Sequence, residues 1–260
     1  MELNGSAVTA DDIGALGLVN FGHFTSMRVE NGAVRGLSLH LDRLIRDCRT
    51  VFDADLDPER VRELVRHALR GSAAAVVVRV TVFDPHLELG RPGADAEPHI
   101  LVSMRKAPPS PQSPVSLQSA VYSRDMPRVK HVGLFGALHQ RRTAQRNGFD
   151  DAMFTTADGI VTEIATSNIG FIDTEGRLVW PKAEVLPGTT MRLISQARDE
   201  EVQSETITLA RLNQFVGAVA TNAAVGVRAV ARVDDIRWPT AHKLIDTLRA
   251  EYESIPAQQL

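Results

Sequence analysis

Residues 107–114 read APPSPQSP, and these eight positions decide how the chain is divided. Four prolines in eight residues cannot sit in a helix or a central strand, because proline lacks a backbone N–H and fixes φ; the run favours an extended spacer. Upstream of it the pattern is mixed α and β. Residues 21–29 predict a strand, turned by Asn31-Gly32, a dipeptide that tolerates the backbone of a tight hairpin. Ser38 predicts the cap of an amphipathic helix whose apolar positions Leu41, Leu44, Ile45, Cys48, Val51 and Phe52 recur close to a 3.6 period. Asp57-Pro58, a cap followed by proline at the first helical position, opens a second helix with Val61, Leu64, Val65, Ala68 and Leu69 on one face. Strands are predicted at 74–83 and 98–105, separated by a loop at 84–97 rich in Gly, Pro and charge.

Downstream of the proline run, residues 115–122 predict a strand and 132–147 a helix stopped by Gly148. Short strands with turns at Asp158-Gly159 and Glu175-Gly176 follow, and Pro187-Gly188 leads into a helix through about residue 198. Strands near 202–208, 217–221 and 227–233 precede a terminal amphipathic helix at 239–254. No internal repeat is found. The expectation is an α+β chain of two domains: a smaller one over 1–114, ending in the proline-rich run, and a larger one over 115–260. The cleft between them is the default place for a site.

Composition narrows the function classes. The chain has 260 residues, 43% hydrophobic and 23% charged, which is ordinary for a globular protein and excludes disordered, collagenous and coiled-coil classes. A net charge of −3 suggests no basic face for nucleic acid. No apolar run reaches the roughly 18 residues a membrane span needs. The opening MELNGSAVTADD lacks the basic and apolar regions of a secretory leader, and the single cysteine, Cys48, cannot form an internal disulfide. A cytoplasmic chain is therefore expected. Metal chemistry is not expected either: the histidines form no HxxxH or HExxH, and one cysteine cannot build a thiolate cluster. GxSxG, GxGxxG and Walker patterns are absent, and Cys48 falls on the apolar face of its helix.

Only four of the 29 basic residues are lysines: Lys106, Lys130, Lys182 and Lys243. A lysine that reacts as a free amine must be partly desolvated. Lys106 abuts the proline run, Lys182 sits in the turn WPKAE, and Lys243 lies on the terminal helix; all three read as solvated. Lys130 precedes the small, apolar run Val132-Gly133-Leu134-Phe135-Gly136 and reads either as a half-buried lysine with a covered stem or as a reactive amine. Leu186-Pro187-Gly188-Thr189-Thr190 offers backbone N–H groups, two hydroxyls and the positive end of a helix dipole, which suits an anion, although a plain helix cap by Thr189 would leave the same pattern. Glu163 lies within a strand-like run, facing either water or a partner. Arg43 and His40 share the first helix's opening turns, either as surface polarity or as a binding pair.

Together these cues stand in a familiar order. The segments FTSMRVENG, LHLDRL, VKHVGLFGALHQRRTAQRNGFDDAMF, DGIVTEIATSNIGF and LPGTTMR make the chain, from about residue 21 to 230, resemble the fold-type IV pyridoxal-phosphate (PLP) enzymes, the class IV aminotransferases. That group includes branched-chain and D-amino-acid aminotransferases and aminodeoxychorismate lyase. The resemblance implies a two-domain α+β fold like that of D-amino-acid aminotransferase. Its smaller domain is N-terminal, and the larger C-terminal domain holds a barrel-like mixed sheet. The resemblance implies that Lys130 holds PLP as a Schiff base and shuttles the proton, and that Glu163 pairs with the pyridine nitrogen. It implies that Arg43, with His40 beside it, grips the phosphate together with Thr189, Thr190 and the Asn222-Ala223 turn, and that Asn168 orders the adjoining turn.

There are departures. Val19-Asn20-Phe21-Gly22-His23 stands where the family has a YGDG-like sequence. Phe135 stands where branched-chain enzymes have tyrosine. No arginine of the run RVTVFDPHLELGRPG, neither Arg79 nor Arg91, falls clearly in register with the family's carboxylate-binding arginine, which leaves Arg28 and Arg91 as candidates for the substrate carboxylate. The implied activity is transfer of an amino group between an amino acid and a 2-oxo acid, in a homodimer. Lys130-His131 and the TNAA turn, similar to the lyase subgroup's CNAL turn, keep 4-aminobenzoate-forming lyase as the alternative. A non-catalytic binding protein on the same fold is the third reading.

Overall fold

The computed structural model describes residues 1–71, 74–198 and 202–260. It divides into two compact units: Met1–Ala107 with Val129–Gly133 and Ala257–Leu260, and Pro108–Arg128 with Leu134–Pro256. No described helix is long and apolar enough to cross a membrane.

The first unit is built on a five-stranded antiparallel sheet of β1 (Glu2–Leu3), β2 (Ser6–Ala7), β3 (His23–Val29), β5 (Val76–Phe83) and β6 (His99–Lys106), in the order β2-β1-β6-β5-β3. Strand alternation sorts its side chains onto two faces. Met27 and Val29 of β3, with Val76, Val78, Val80 and Val82 of β5, pack against α2 (Leu37–Phe52) and α3 (Pro58–Ala68) through Leu41, Leu44, Cys48, Leu64 and Val65. The other face carries Phe24, Ser26 and Arg28, paired in register with Thr81, Arg79 and Val77. β4 (Ala33–Arg35) pairs with the C-terminal β16 (Ala257–Gln259). α1 (Ala10–Val19), which the sequence reading leaves out, is announced by a capping box of Thr9 and Asp12.

The second unit holds a nine-stranded mixed sheet that curls as a half-barrel. Its order is β12 (Val202–Glu205), β11 (Leu178–Pro181), β10 (Asn168–Ile172), β13 (Gly217–Asn222), β14 (Gly226–Val233), β7 (Val115–Val121), β8 (Asp151–Thr155) and β9 (Val161–Ile164), with β15 (Ile236–Arg237) beside β14. Ile169, Phe171, Val179, Ala218, Ala220 and Val230 face one layer with Leu212, Phe215 and Trp238. Their neighbours Ile172, Leu178, Trp180, Val219 and Ala229 face another with Ile194 of α5 (Thr189–Arg198) and Leu244, Ile245 and Leu248 of α6 (Lys243–Ser254).

Three local expectations shift. α2 starts at Leu37, after Gly36 at φ 69°, and Ser38 is not its cap: the Ser38 N–H donates to Gln258 Oε1 (3.0 Å), from the far end of the chain. α4 runs over Phe135–Arg146 rather than from 132: the Val132 N–H is given to Gly22 O, just before β3, instead of to a helix. α6 begins at Lys243 behind a His242 cap rather than at Pro239.

Candidate active site

Lys130 lies in the segment ahead of α4. Phe24 N–H donates to Lys130 O (2.8 Å), Val132 N–H donates to Gly22 O (2.9 Å), and His23 stands opposite His131. β3 is an edge strand, so its unpaired side is what takes this segment up. The Lys130 N–H also donates to Oδ2 of Asp47 (3.0 Å), a fully buried carboxylate on α2 that Arg46 neutralises through Oδ1 (2.6 Å). Three backbone bonds thus fix the main chain around Lys130. Its side chain is half-buried, with Nζ 4.9 Å from the centre of the Phe24 ring.

On α2, one turn apart, lie His40 and Arg43, both buried. His40 Nδ1 shares a 2.7 Å hydrogen bond with Thr25 Oγ1 of β3. Burial, then the positive charges of Arg43 and Lys130, push His40 down to about 3, so its ring is neutral across the physiological range. His23 is fully buried, with neither ring nitrogen hydrogen-bonded among the described residues, and burial and then Arg46 push it down to about 4. These shifts have a direct consequence for stability. Between about pH 4 and 6.5 the unfolded chain binds a proton at His23 that the folded chain refuses, so stability rises with pH through that window. Lowering the pH from 7 to 4 is expected to remove about 3 kcal/mol through His23 alone. His23→Leu should flatten that slope in urea titrations run across the window.

The arginines fall into different settings. Arg28 is half-buried, and its Nε donates to Glu30 Oε1 (2.7 Å). Arg91 is exposed in the 84–97 loop, whose ends Asp84 ties by accepting from the N–H groups of His86 (2.7 Å) and Glu97 (2.9 Å). Arg79, which the sequence reading leaves out of register, sits on β5 with its guanidinium carbon 3.7 Å from the centre of the Phe24 ring and its Nε donating to Thr81 Oγ1 (3.2 Å). Burial lowers its pKa, and no described carboxylate lies within ion-pair distance of it. The amine of Lys130 and the guanidinium of Arg79 therefore share one aromatic ring. The signal for this was the strand alternation of β3 and β5, which puts Phe24 and Arg79 on one face once their register is known.

In the second unit, Glu163 is buried on β9, and Arg124 Nε is 3.8 Å from its Oε1. Thr189 and Thr190 open α5; both are buried, and neither hydroxyl has a hydrogen-bond partner among the described residues. Buried, unsatisfied hydroxyls at the positive end of a helix fit an anion supplied from outside the chain. Asn168 shapes the approach by donating from Nδ2 to Leu186 O (2.8 Å). A Cβ on Gly188 would collide with the Asn168 side-chain oxygen, so that amide would have to move to admit one. Gly188→Ala is expected to displace that turn and lower affinity for a phosphate-bearing ligand at least about tenfold, roughly one charge-assisted hydrogen bond, as read by titration of the apoprotein. Asn222 ends β13, with Oδ1 accepting from Ala224 N–H (3.0 Å) and Val225 N–H (3.1 Å) and Nδ2 donating to Ser167 Oγ (2.9 Å). It thus shapes the turn that displays Ala223.

Of the sequence-derived candidates, Lys130, Arg43, His40 and Arg28 lie in the first unit with Arg79, as does Arg91. Glu163, Thr189, Thr190, Asn222 and Ala223 lie in the second.

The chain is 24% identical over 250 residues, 88% of its length and 85% of the relative's, to a protein of Rickettsia typhi described as a probable branched-chain-amino-acid aminotransferase. Its fold matches the branched-chain amino acid aminotransferase of Escherichia coli with a TM-score of 0.85 at 17% identity, covering 97% of this chain and 93% of that one. It also matches a hypothetical aminotransferase from Mycobacterium tuberculosis in its PLP-bound form, with a TM-score of 0.81 at 18% identity, covering 96% and 93%. The sequence model of the family Amino-transferase class IV spans residues 22–233, more than half of the chain, and the protein belongs to that family.

Proposed function

We propose that the protein is a PLP-dependent aminotransferase moving an amino group between an amino acid and a 2-oxo acid. The observation that carries this reading is the meeting of Lys130 and Arg79 on the Phe24 ring: an amine fit to carry a cofactor beside a guanidinium fit to hold a substrate carboxylate. The unsatisfied Thr189 and Thr190 hydroxyls, with the glycine cradle before them, suit the cofactor's phosphate. Bound PLP would supply an electron sink for the charge left on the substrate carbon when its proton departs. Lys130 serves as the carrier amine and as the base that moves the proton. Glu163 holds a proton on the ring nitrogen. Arg43, Thr189, Thr190, Asn222 and Ala223 hold the phosphate, with His40, neutral and bonded to Thr25, setting the α2 surface beside Arg43. Arg79 anchors the substrate carboxylate, with Arg28 and Arg91 as the alternatives.

The test is spectroscopic and chemical. Protein loaded with PLP and given single amino donors without an acceptor is expected to accumulate pyridoxamine phosphate, then return to PLP on addition of a 2-oxo acid. Release of pyruvate from aminodeoxychorismate without that accumulation would favour the lyase, the reading suggested by Lys130-His131 and the Asn222-Ala223 turn. Failure to take up PLP would leave a binding protein on this fold.

Two further readings complete the proposal. The boundary between a 1–114 and a 115–260 domain falls in the exposed proline-rich run. The working form is a homodimer, supported by Phe135 and Leu138, 81% and 53% exposed and one helical turn apart on α4. Light scattering is expected to give twice the chain mass, and Phe135→Glu with Leu138→Glu a monomer.

A further inference from the structure

Glu163 has a buried cationic neighbour to which the sequence reading assigns no part. Arg124 Nε lies 3.8 Å from Glu163 Oε1, with side chains only 8% and 7% exposed. Arg124 lies in the stretch that follows β7, Glu163 on the next but one strand of the same sheet. Burial disfavours the ionised form of a carboxylate, because it loses its hydration; a guanidinium at this distance opposes that effect. The separation of this pair is that of an ion pair rather than a short hydrogen bond. Such a contact supplies charge and direction to the carboxylate.

We propose that Arg124 is a positioning residue for Glu163: it keeps that carboxylate ionised and aimed, so that the ring nitrogen of bound PLP stays protonated. The proposal rests on the PLP reading above and adds a residue to it. Arg124 touches neither substrate nor cofactor in this role. It acts through Glu163, and its effect must vanish when Glu163 can no longer ionise.

A double-mutant cycle tests this with PLP itself as the probe. The full-length apoproteins of the parent, Arg124→Gln, Glu163→Gln and the double variant are titrated with PLP, and the visible absorbance of each loaded protein is followed against pH. Arg124→Gln is expected to weaken PLP binding about tenfold in the parent background and less than about twofold in the Glu163→Gln background. Arg124→Lys should restore affinity to within about threefold of the parent, since it returns the charge. Equal losses in both backgrounds, no loss, or tighter binding would overturn the proposal. If Arg124→Gln does not fold, Arg124→Lys in the two Glu163 backgrounds decides: a residual deficit of the same size in both overturns it, and a deficit confined to the Glu163 background supports it. A parent protein that binds no PLP fails the underlying reading. One that binds PLP while the cycle is additive fails this proposal alone.

Discussion

Lys130→Ala is expected to lower amino transfer by at least about three orders of magnitude while leaving the fold intact. The two halves of that expectation come from different atoms. In the proposed mechanism the chemistry resides in Nζ, and none of the other three lysines of the chain belongs to the 129–133 segment that β3 positions. The stability resides in the main chain, where the Lys130 N–H meets Asp47 and its carbonyl meets Phe24, and alanine keeps both bonds. The melting temperature should therefore shift by only a few degrees, as for an ordinary half-buried truncation of about 1 kcal/mol. The parent, loaded with PLP, should show visible absorbance that borohydride abolishes while fixing the cofactor to the peptide containing Lys130. The alanine variant should show no fixation. A variant that retains a tenth of the parental rate would overturn the role given to this lysine, and with it the carrier chemistry.

Arg79→Met is expected to cost roughly a hundredfold in kcat/KM, mostly through KM, because a lost charge-assisted pair of hydrogen bonds is worth about 3 kcal/mol. The guanidinium is preorganised: Phe24 lies under its plane and Thr81 takes its Nε, so a carboxylate meets a fixed fork rather than a mobile chain. Arg79→Lys should recover only part of the loss, since a single ammonium cannot reproduce the fork. Arg28→Met and Arg91→Met serve as comparisons. Arg28 is already committed to Glu30, and Arg91 stands exposed on a loop, so each should change KM by less than about threefold. If Arg91→Met proves the costly one, the carboxylate site lies on the 84–97 loop and the Phe24 platform has another purpose. If Arg79→Met lowers the melting temperature and kcat together with KM unchanged, Arg79 is packing rather than binding.

Much of this was legible in the chain itself. The strand-like run at 21–29 with its Asn31-Gly32 turn, the helix period from Leu41 to Phe52 and the Asp57-Pro58 start are local signals, complete within one element, and β3, α2 and α3 form where they indicate. The apolar run at 76–83 has the same character. The order of the motifs around Lys130, Glu163 and Gly188-Thr189-Thr190 carried the family, because each requires particular residue types at a short, fixed spacing. The conformation around Lys130 was not legible. Residues 132–147 look helical throughout, yet the first of them, Val132, gives its N–H to Gly22, just before β3 and more than a hundred positions upstream. Ser38 reads as a cap for want of any sign, at that point in the chain, that Gln258 would reach its N–H.

The linear chain thus determined most of the longer elements, which residue types it has for chemistry, and which family it joins, since propensity, period and motif act over a few residues at most. The tertiary structure alone decided that Asp47, 83 positions away, would hold the backbone of Lys130, that Phe24 would lie against both Lys130 and Arg79, and that Arg124 would stand beside Glu163. Those pairings depend on strand register and on how edges and faces are filled. Contacts of that kind carry no local signature, because their free energy appears only when distant segments are brought together.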